Sequence, residues 1–312
     1  MPFQEHPKTC PICNQGKEFN LIRDFKREQD RFSLYQCSEC QVQFWVPLKN
    51  PGIEWYEAGS GYKTKDIIKP KVYRAYHKKI LETYSSFPEN AKVLDLGCGS
   101  GEFIKKLQER GCEVWGVDLN RTAIKTAKEY FNLENVFSMD FKDFFKKRDL
   151  PKFDIICFFE IIEHLDNPLE FIQNVKKLLK PNARIILSTP CRERMLLNLN
   201  TWDFPPHHFT RWNEEAILNI FRKHEFTIFT IKYLEQFKIL SESVGGKFTT
   251  GLVNRSLNAS GKYTIFPKTV HFFGRLKSFA IGTIPAVLLW AFGRVLKRNN
   301  GIMLIELQKY EC

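Results

Sequence analysis

No apolar run in the 312-residue sequence reaches the roughly 20 residues that a membrane-spanning helix requires. The longest, residues 279–292, has 14 residues and is interrupted by Gly282 and Pro285. The opening Met-Pro-Phe-Gln-Glu-His-Pro-Lys lacks the apolar core of a secretory signal, so a cytoplasmic chain is expected. Internal repeats and low-complexity tracts are also missing, which excludes solenoids. Acidic residues are in short supply, 35 against 47 Lys+Arg, and the net charge is +12. That excess favours anionic partners. It is uneven: residues 237–300 contain ten Lys/Arg and one Glu, so +9 of it lies in one segment. At 43% apolar and 26% charged residues, the chain has material for a core and no signature of disorder.

Nine cysteines are present, but paired spacing singles out four of them. Cys10-Pro-Ile-Cys13 and Cys37-Ser-Glu-Cys40 bracket a polar segment that alternates as short strands do. Two such turns place four thiolates around a tetrahedral ion, and the metal replaces a core too small to form alone. A structural zinc ribbon over residues 1–50 is the reading. Residues 51–90 then give a Pro/Gly-rich linker and a helix covering the site, with apolar residues at helical spacing between 71 and 87.

From residue 91 the pattern is strand alternating with helix. Apolar runs at 91–96, 113–117, 136–139, 153–159, 183–188, 226–233 and 301–308 read as seven strands. Helices are expected at 103–110, 121–131, 168–179 and 214–223. Repeats of this length predict an α/β fold, a doubly wound and mostly parallel seven-stranded sheet. The alternating domain spans 91–236, a basic apolar insertion 237–300, and the last strand 301–312.

The most informative stretch is Val93-Leu94-Asp95-Leu96-Gly97-Cys98-Gly99-Ser100-Gly101, a buried strand running into a loop with glycine at every second position. Such glycines let a ligand approach the backbone. The spacing is not Gly-x-Gly-x-x-Gly, which disfavours a dehydrogenase. No Gly-Lys-Ser/Thr follows, which excludes a P-loop. From these residues the chain resembles the class I S-adenosylmethionine-dependent methyltransferases, over roughly residues 91–233 and the last strand. The resemblance implies S-adenosylmethionine bound by Asp95, Gly97, Cys98, Gly99 and Gly101. It implies that Asp118, beside Leu119, takes the ribose hydroxyls, and that Asp140, beside Phe141, takes the adenine amino group. A carboxylate offering two acceptors to a vicinal diol is sensible chemistry in itself.

Glu160-Ile161-Ile162-Glu163-His164 follows the fourth strand of that sheet, at the carboxyl edge where doubly wound sheets bind ligands. Two carboxylates and an imidazole suit either a divalent ion, Mg²⁺ or Mn²⁺, or a general base with its orienting partner. As a free base His164 would give activity rising with pH through about 6.5. The stretch is similar to the Glu-x-x-Glu-His of the ubiquinone-biosynthesis O-methyltransferases and of small-RNA 2′-O-methyltransferases. The second resemblance implies a further ligand at His207, with His208 the alternative, and Glu160 is counted on both the catalytic and the cofactor side. Cys191 lacks the Pro-Cys partner that a cytosine-5 methyltransferase requires.

The insertion suits either a lipid interface through residues 270–298, with cations on the headgroups, or a buried helical hairpin. Nucleic acid is the weaker partner, since the cations do not alternate with aromatics as a stacking platform would. The chain is also similar to ribbon-bearing methyltransferases of bacterial polysaccharide gene sets. That implies O-methylation of a saccharide or lipid-linked glycan, at the inner face of the membrane if the insertion binds lipid. An RNA methyltransferase, a small phenolic or quinone-type acceptor and a non-catalytic module are the rivals.

Overall fold

The computed structural model describes residues 7–27, 29–49, 51–52, 54, 74–84, 87–193, 203–235 and 301–309. Three antiparallel strands open the chain: β1 (Phe19–Arg27), β2 (Asp30–Cys37) and β3 (Gln43–Val46). After helix α1 (Ala75–Thr83) the alternating part begins. Its elements are β4 (Lys92–Leu96), α2 (Glu102–Gln108), β5 (Glu113–Asp118), α3 (Arg121–Glu129), β6 (Val136–Ser138), the one-turn α4 (Phe141–Phe144) and β7 (Phe153–Phe159). A 3₁₀ turn (Ile162–His164), α5 (Pro168–Leu178), β8 (Leu179–Pro190), β9 (Thr210–Arg211), α6 (Glu214–Lys223), β10 (Phe226–Glu235) and β11 (Gly301–Lys309) complete it.

The seven-stranded sheet runs β10-β11-β8-β7-β4-β5-β6. Pairings from β8 through β7, β4 and β5 to β6 are parallel. The seven strands expected from the sequence are all present. β4 and β7 sit centrally, and β7 is buried along nearly its whole length, as its unbroken Phe-Asp-Ile-Ile-Cys-Phe-Phe requires. Helices α3, α5 and α6 each start where an asparagine side chain accepts a backbone N–H: Asn120 from Ala123, Asn167 from Glu170 and Asn213 from Ala216, at 3.0–3.2 Å. Such caps satisfy donors that the first turn leaves orphaned.

Two differences from the sequence reading have physical causes. β8 begins at Leu179 rather than 183, because parallel pairing with Phe153 carries the chain straight out of α5 past Pro181 and Asn182. The ribbon sheet has four strands, β1-β2-β3-β9, and its fourth comes from the loop after β8. Phe44 pairs with Thr210 and Gln43 with Arg211. Two residues without alternating polarity carry no strand signal of their own, and the pairing supplies it.

By compactness one unit comprises Met1–Arg192, Leu199–Lys232 and Met303–Cys312; the second is Glu193–Asn198 with Tyr233–Ile302. The basic insertion and its expected lipid-facing segment, 270–298, lie outside the described residues. No helix among the described residues is long and apolar enough to cross a membrane.

Candidate functional site

The glycine cradle is local. β4 ends at Leu96, and Gly97, Gly99 and Gly101 follow with φ of +89°, +55° and +83°. The glycines differ in purpose. A methyl on Gly97 would meet the Ile161 side chain at 2.4 Å, whereas one on Gly99 would meet nothing within 4 Å. Gly99 thus opens onto space that a ligand can occupy, in a backbone conformation few other residues accept. Cys98 turns inward, its sulfur packed against Gly116.

Asp118, at the end of β5, accepts the Gly99 N–H at 2.9 Å and the Asn120 N–H at 2.8 Å. One bond per oxygen leaves two of its four lone-pair positions for a diol. Asp95 is 2% exposed, and its Oδ1 has no hydrogen-bond partner among the described residues. Burial, and then Asp118 nearby, push its pKa up to about 8. An unpartnered buried acceptor beside an open glycine loop fits a cofactor that brings a donor. Asp140 is exposed and caps α4, its Oδ1 accepting the Lys142 N–H at 2.7 Å; Phe141 leads that helix, against Phe171. Leu119 is half-buried.

Across β7 lies the acid–histidine cluster. Glu160 leaves the strand with φ +54°, its N–H bonded to the Ser188 carbonyl and its Oε1 accepting the Ser188 hydroxyl at 3.0 Å. Glu163 is 1% exposed; Oε2 accepts the Thr189 hydroxyl at 3.0 Å, and Oε1 has no hydrogen-bond partner among the described residues. His164 Nδ1 lies 2.6 Å from the His207 carbonyl oxygen. Because a carbonyl only accepts, Nδ1 carries the proton and Nε2 the lone pair, 4.0 Å from Glu163 Oε1.

Glu163, His164 and His208 each offer one ligand atom within 4.8 Å of the others. The structure thus brings together Glu163, His164 and His208. It sets the Glu160 carboxylate on Ser188, and His207 contributes its backbone carbonyl. Burial, then His208, lowers the His164 pKa to about 3. The titration near 6.5 expected from the sequence is therefore displaced downward. Burial and Glu160 raise Glu163. Three converging acceptors leave room for a cation or a proton donor. Two imidazoles and a carboxylate are also a recognised ligand set for divalent metals.

Sequence reasoning missed Asp203. It is 1% exposed, with Oδ1 3.6 Å from His208 Nδ1 and Oδ2 3.9 Å from Arg211. Its only signal was an acidic residue near two histidines.

The four ribbon thiols are buried together, with Cys10–Cys40 at 3.8 Å and Cys13–Cys37 at 3.9 Å. With metal–sulfur bonds of about 2.3 Å, the edge of a regular tetrahedron is about 3.8 Å. Both knuckles have the same turn: Asn14 (φ +54°) donates to the Cys10 carbonyl and Gln41 (φ +63°) to that of Cys37. The Ile12 and Gly16 N–H groups donate to Cys10 and Cys13 sulfurs at 3.4 and 3.3 Å. Crowding raises Cys10, chiefly through Cys13, and Cys40, chiefly through Cys10, so four thiolates here require a cation. These residues fit a tetrahedral metal.

A methyltransferase-domain family model matches residues 69–231. The chain is similar to the ubiquinone biosynthesis O-methyltransferase of Glaesserella parasuis serovar 5 (strain SH0165), 34% identical over 142 residues, 43% of this chain and 58% of that protein. To the enzyme of the same name from Pelagibacter ubique (strain HTCC1062) it is 30% identical over 143 residues, 44% and 59% of the two chains. The match thus spans just under three fifths of those relatives. A SAM-dependent methyltransferase from Archaeoglobus fulgidus shares the fold, with a TM-score of 0.50 and 20% identity over 82% of this chain and 99% of that one. Sheet order, glycine cradle and family match agree, and the chain belongs to the methyltransferase-domain family with the class I S-adenosylmethionine-dependent fold.

Proposed function

We propose that this chain methylates a hydroxyl group, using S-adenosylmethionine. Held in the cradle, that cofactor supplies a methyl group on a positively charged sulfur. Asp118 would bind its ribose diol, Asp95 would receive a donor from it, and Gly99 leaves space for it. The acceptor hydroxyl would face Glu163, His164 and His208. The observation that carries this reading is the unpartnered Glu163 Oε1 beside two imidazoles, next to the glycine loop in the same sheet edge. A hydroxyl placed there can donate to Glu163 Oε1, which has no hydrogen-bond partner among the described residues. The protein's work is then alignment and removal of that proton. A divalent ion, Mg²⁺ or Mn²⁺, suits the same three groups, and the Cys10, Cys13, Cys37 and Cys40 set suits zinc.

The relatives named for ubiquinone biosynthesis favour a phenol-type hydroxyl. A saccharide or lipid-linked glycan is the second reading, favoured because the four-cysteine ribbon lies outside the matched residues 69–231 and resembles that of polysaccharide-set enzymes. Methyl transfer from labelled cofactor into catechols, nucleotide sugars, lipid-linked glycans and RNA decides between them. Label in catechols supports the first class, label in glycans the second, and label only in RNA overturns both.

A further inference from the structure

We propose that the ribbon is the positioning element of the acceptor-side histidines, and that Trp45 and Gln43 are its positioning residues. The proposal rests on the acceptor-side role given above to Glu163, His164 and His208. Two independent connections carry it.

The first runs through the backbone. Phe209 sits between two partners: its N–H donates to the Glu163 carbonyl at 2.8 Å, and its carbonyl accepts the Trp45 N–H at 2.9 Å. The Trp45 indole N–H donates to the Asp203 carbonyl at 2.9 Å, and its ring lies 5.5 Å from that of Phe204. One fully buried tryptophan of β3 therefore fastens both ends of the turn carrying His207 and His208. That turn's His207 carbonyl in turn fixes the tautomer of His164.

The second is a relay of side chains with one direction. Gln36 donates to Gln41 at 2.7 Å, Gln43 to Gln36 at 2.9 Å, and Arg211 to Gln43 at 2.5 Å. Arg211 and Asp203 pair at 3.9 Å, and Asp203 faces His208. Gln41 directly follows Cys40 and closes the second cysteine knuckle. The relay thus begins at the metal-binding turn and ends at a histidine of the acceptor site. Arg192 adds a bond from beyond β8 to the Gln41 carbonyl. The cradle of Asp95, Gly99 and Asp118 takes no part in either connection.

The test compares the full wild-type chain with Trp45→Phe, Gln43→Leu and Gln43→Glu, each shown by elemental analysis to keep its zinc. Amide hydrogen exchange over residues 203–213 is read beside affinity for S-adenosylhomocysteine. Trp45→Phe and Gln43→Leu should speed exchange there by roughly tenfold, the equivalent of one hydrogen bond, with cofactor affinity unchanged. Gln43→Glu, which keeps an oxygen for Arg211 but gives up the donor to Gln36, should recover part of the slow exchange that Gln43→Leu loses. Misplaced histidines should also lower kcat by up to about 10²-fold, with KM for the cofactor unchanged. Stripping zinc from wild type with a chelator should loosen 203–213 as well. Unchanged exchange after both substitutions and zinc removal overturns the proposal, as does an equal rise across β4–β8. A wild type without methyl transfer would remove the functional reading, while exchange would still decide the coupling.

Discussion

The two halves of the site are built on different length scales. The proposed cofactor side, Asp95 to Asp118, lies within 24 consecutive residues, in a strand, a glycine loop and the end of the next strand. The proposed acceptor side draws Glu163 and His164 from one loop, Asp203 and His208 from another, and Trp45 and Gln43 from the ribbon. Local chemistry defines the first and tertiary packing the second. The cofactor half should therefore tolerate changes in the ribbon, and the acceptor half should not.

The largest expected effect separates the halves directly. His164→Ala should cut turnover by roughly 10²–10⁴-fold, the usual value of a positioned proton-accepting group. Affinity for S-adenosylhomocysteine, measured by calorimetry, should stay within the error of wild type. Normal turnover on the true acceptor would reduce the cluster to scaffold.

The converse follows from the cradle. Asp118→Ala should weaken cofactor binding by about 1.5–3 kcal/mol, the value of a hydrogen bond to a charged group. It also frees the Gly99 and Asn120 N–H groups, so part of that loss will come from the loop itself. Gly99→Arg should do at least as much, since its side chain would fill the open space above the loop. Unchanged affinity in both would break the assignment of the cofactor side.

Sequence alone made this half legible because its residues are consecutive and its glycines are required by backbone geometry. The same holds for the cysteine pairs, where spacing within each turn is the whole signal. Asp203, Trp45, Gln43 and β9 were not legible. A tryptophan in a short apolar stretch reads as core, and nothing local reveals that its indole N–H reaches a carbonyl 158 residues away. His207 and His208 were found as a pair, but which imidazole joins Glu163 depends on how the turn is held. His164 was found too; its pKa was not, because burial is a property of the packed loop.

A third change tests the ribbon itself. Cys13→Ser with Cys40→Ser should lower zinc from one equivalent per chain to none, since two ligands cannot complete a tetrahedron. Elemental analysis of freshly purified protein reads this directly, and wild type without zinc would count against the ribbon. Cofactor affinity should survive if the two halves are as separate as their bonding implies.

The smallest effect concerns α1. Its His77 stacks on Phe103 at 4.6 Å and meets Phe159 edge-on at 4.9 Å, next to the cradle. Burial, with Arg74 second, lowers its pKa to about 3. The unfolded chain binds the proton near pH 6.5 and the folded chain only near 3. This contribution to stability is thus complete above about pH 6.5 and fades as pH falls towards 3. In His77→Phe the urea midpoint should change less between pH 7 and 4.5 than in wild type. An equal change in both would show that His77 does not set that slope.

The pairing of β3 with β9 also orders events during synthesis. The ribbon's β3 is made before the strand that covers its edge, which follows 168 residues after Gln43. At usual rates of elongation that interval is on the order of 10–30 s. Through it the nascent ribbon would display an open strand edge, with Trp45 at its face and no turn yet to receive it. Such an edge invites pairing with other chains, so the length of the intervening chain sets how long each new molecule is exposed to that hazard.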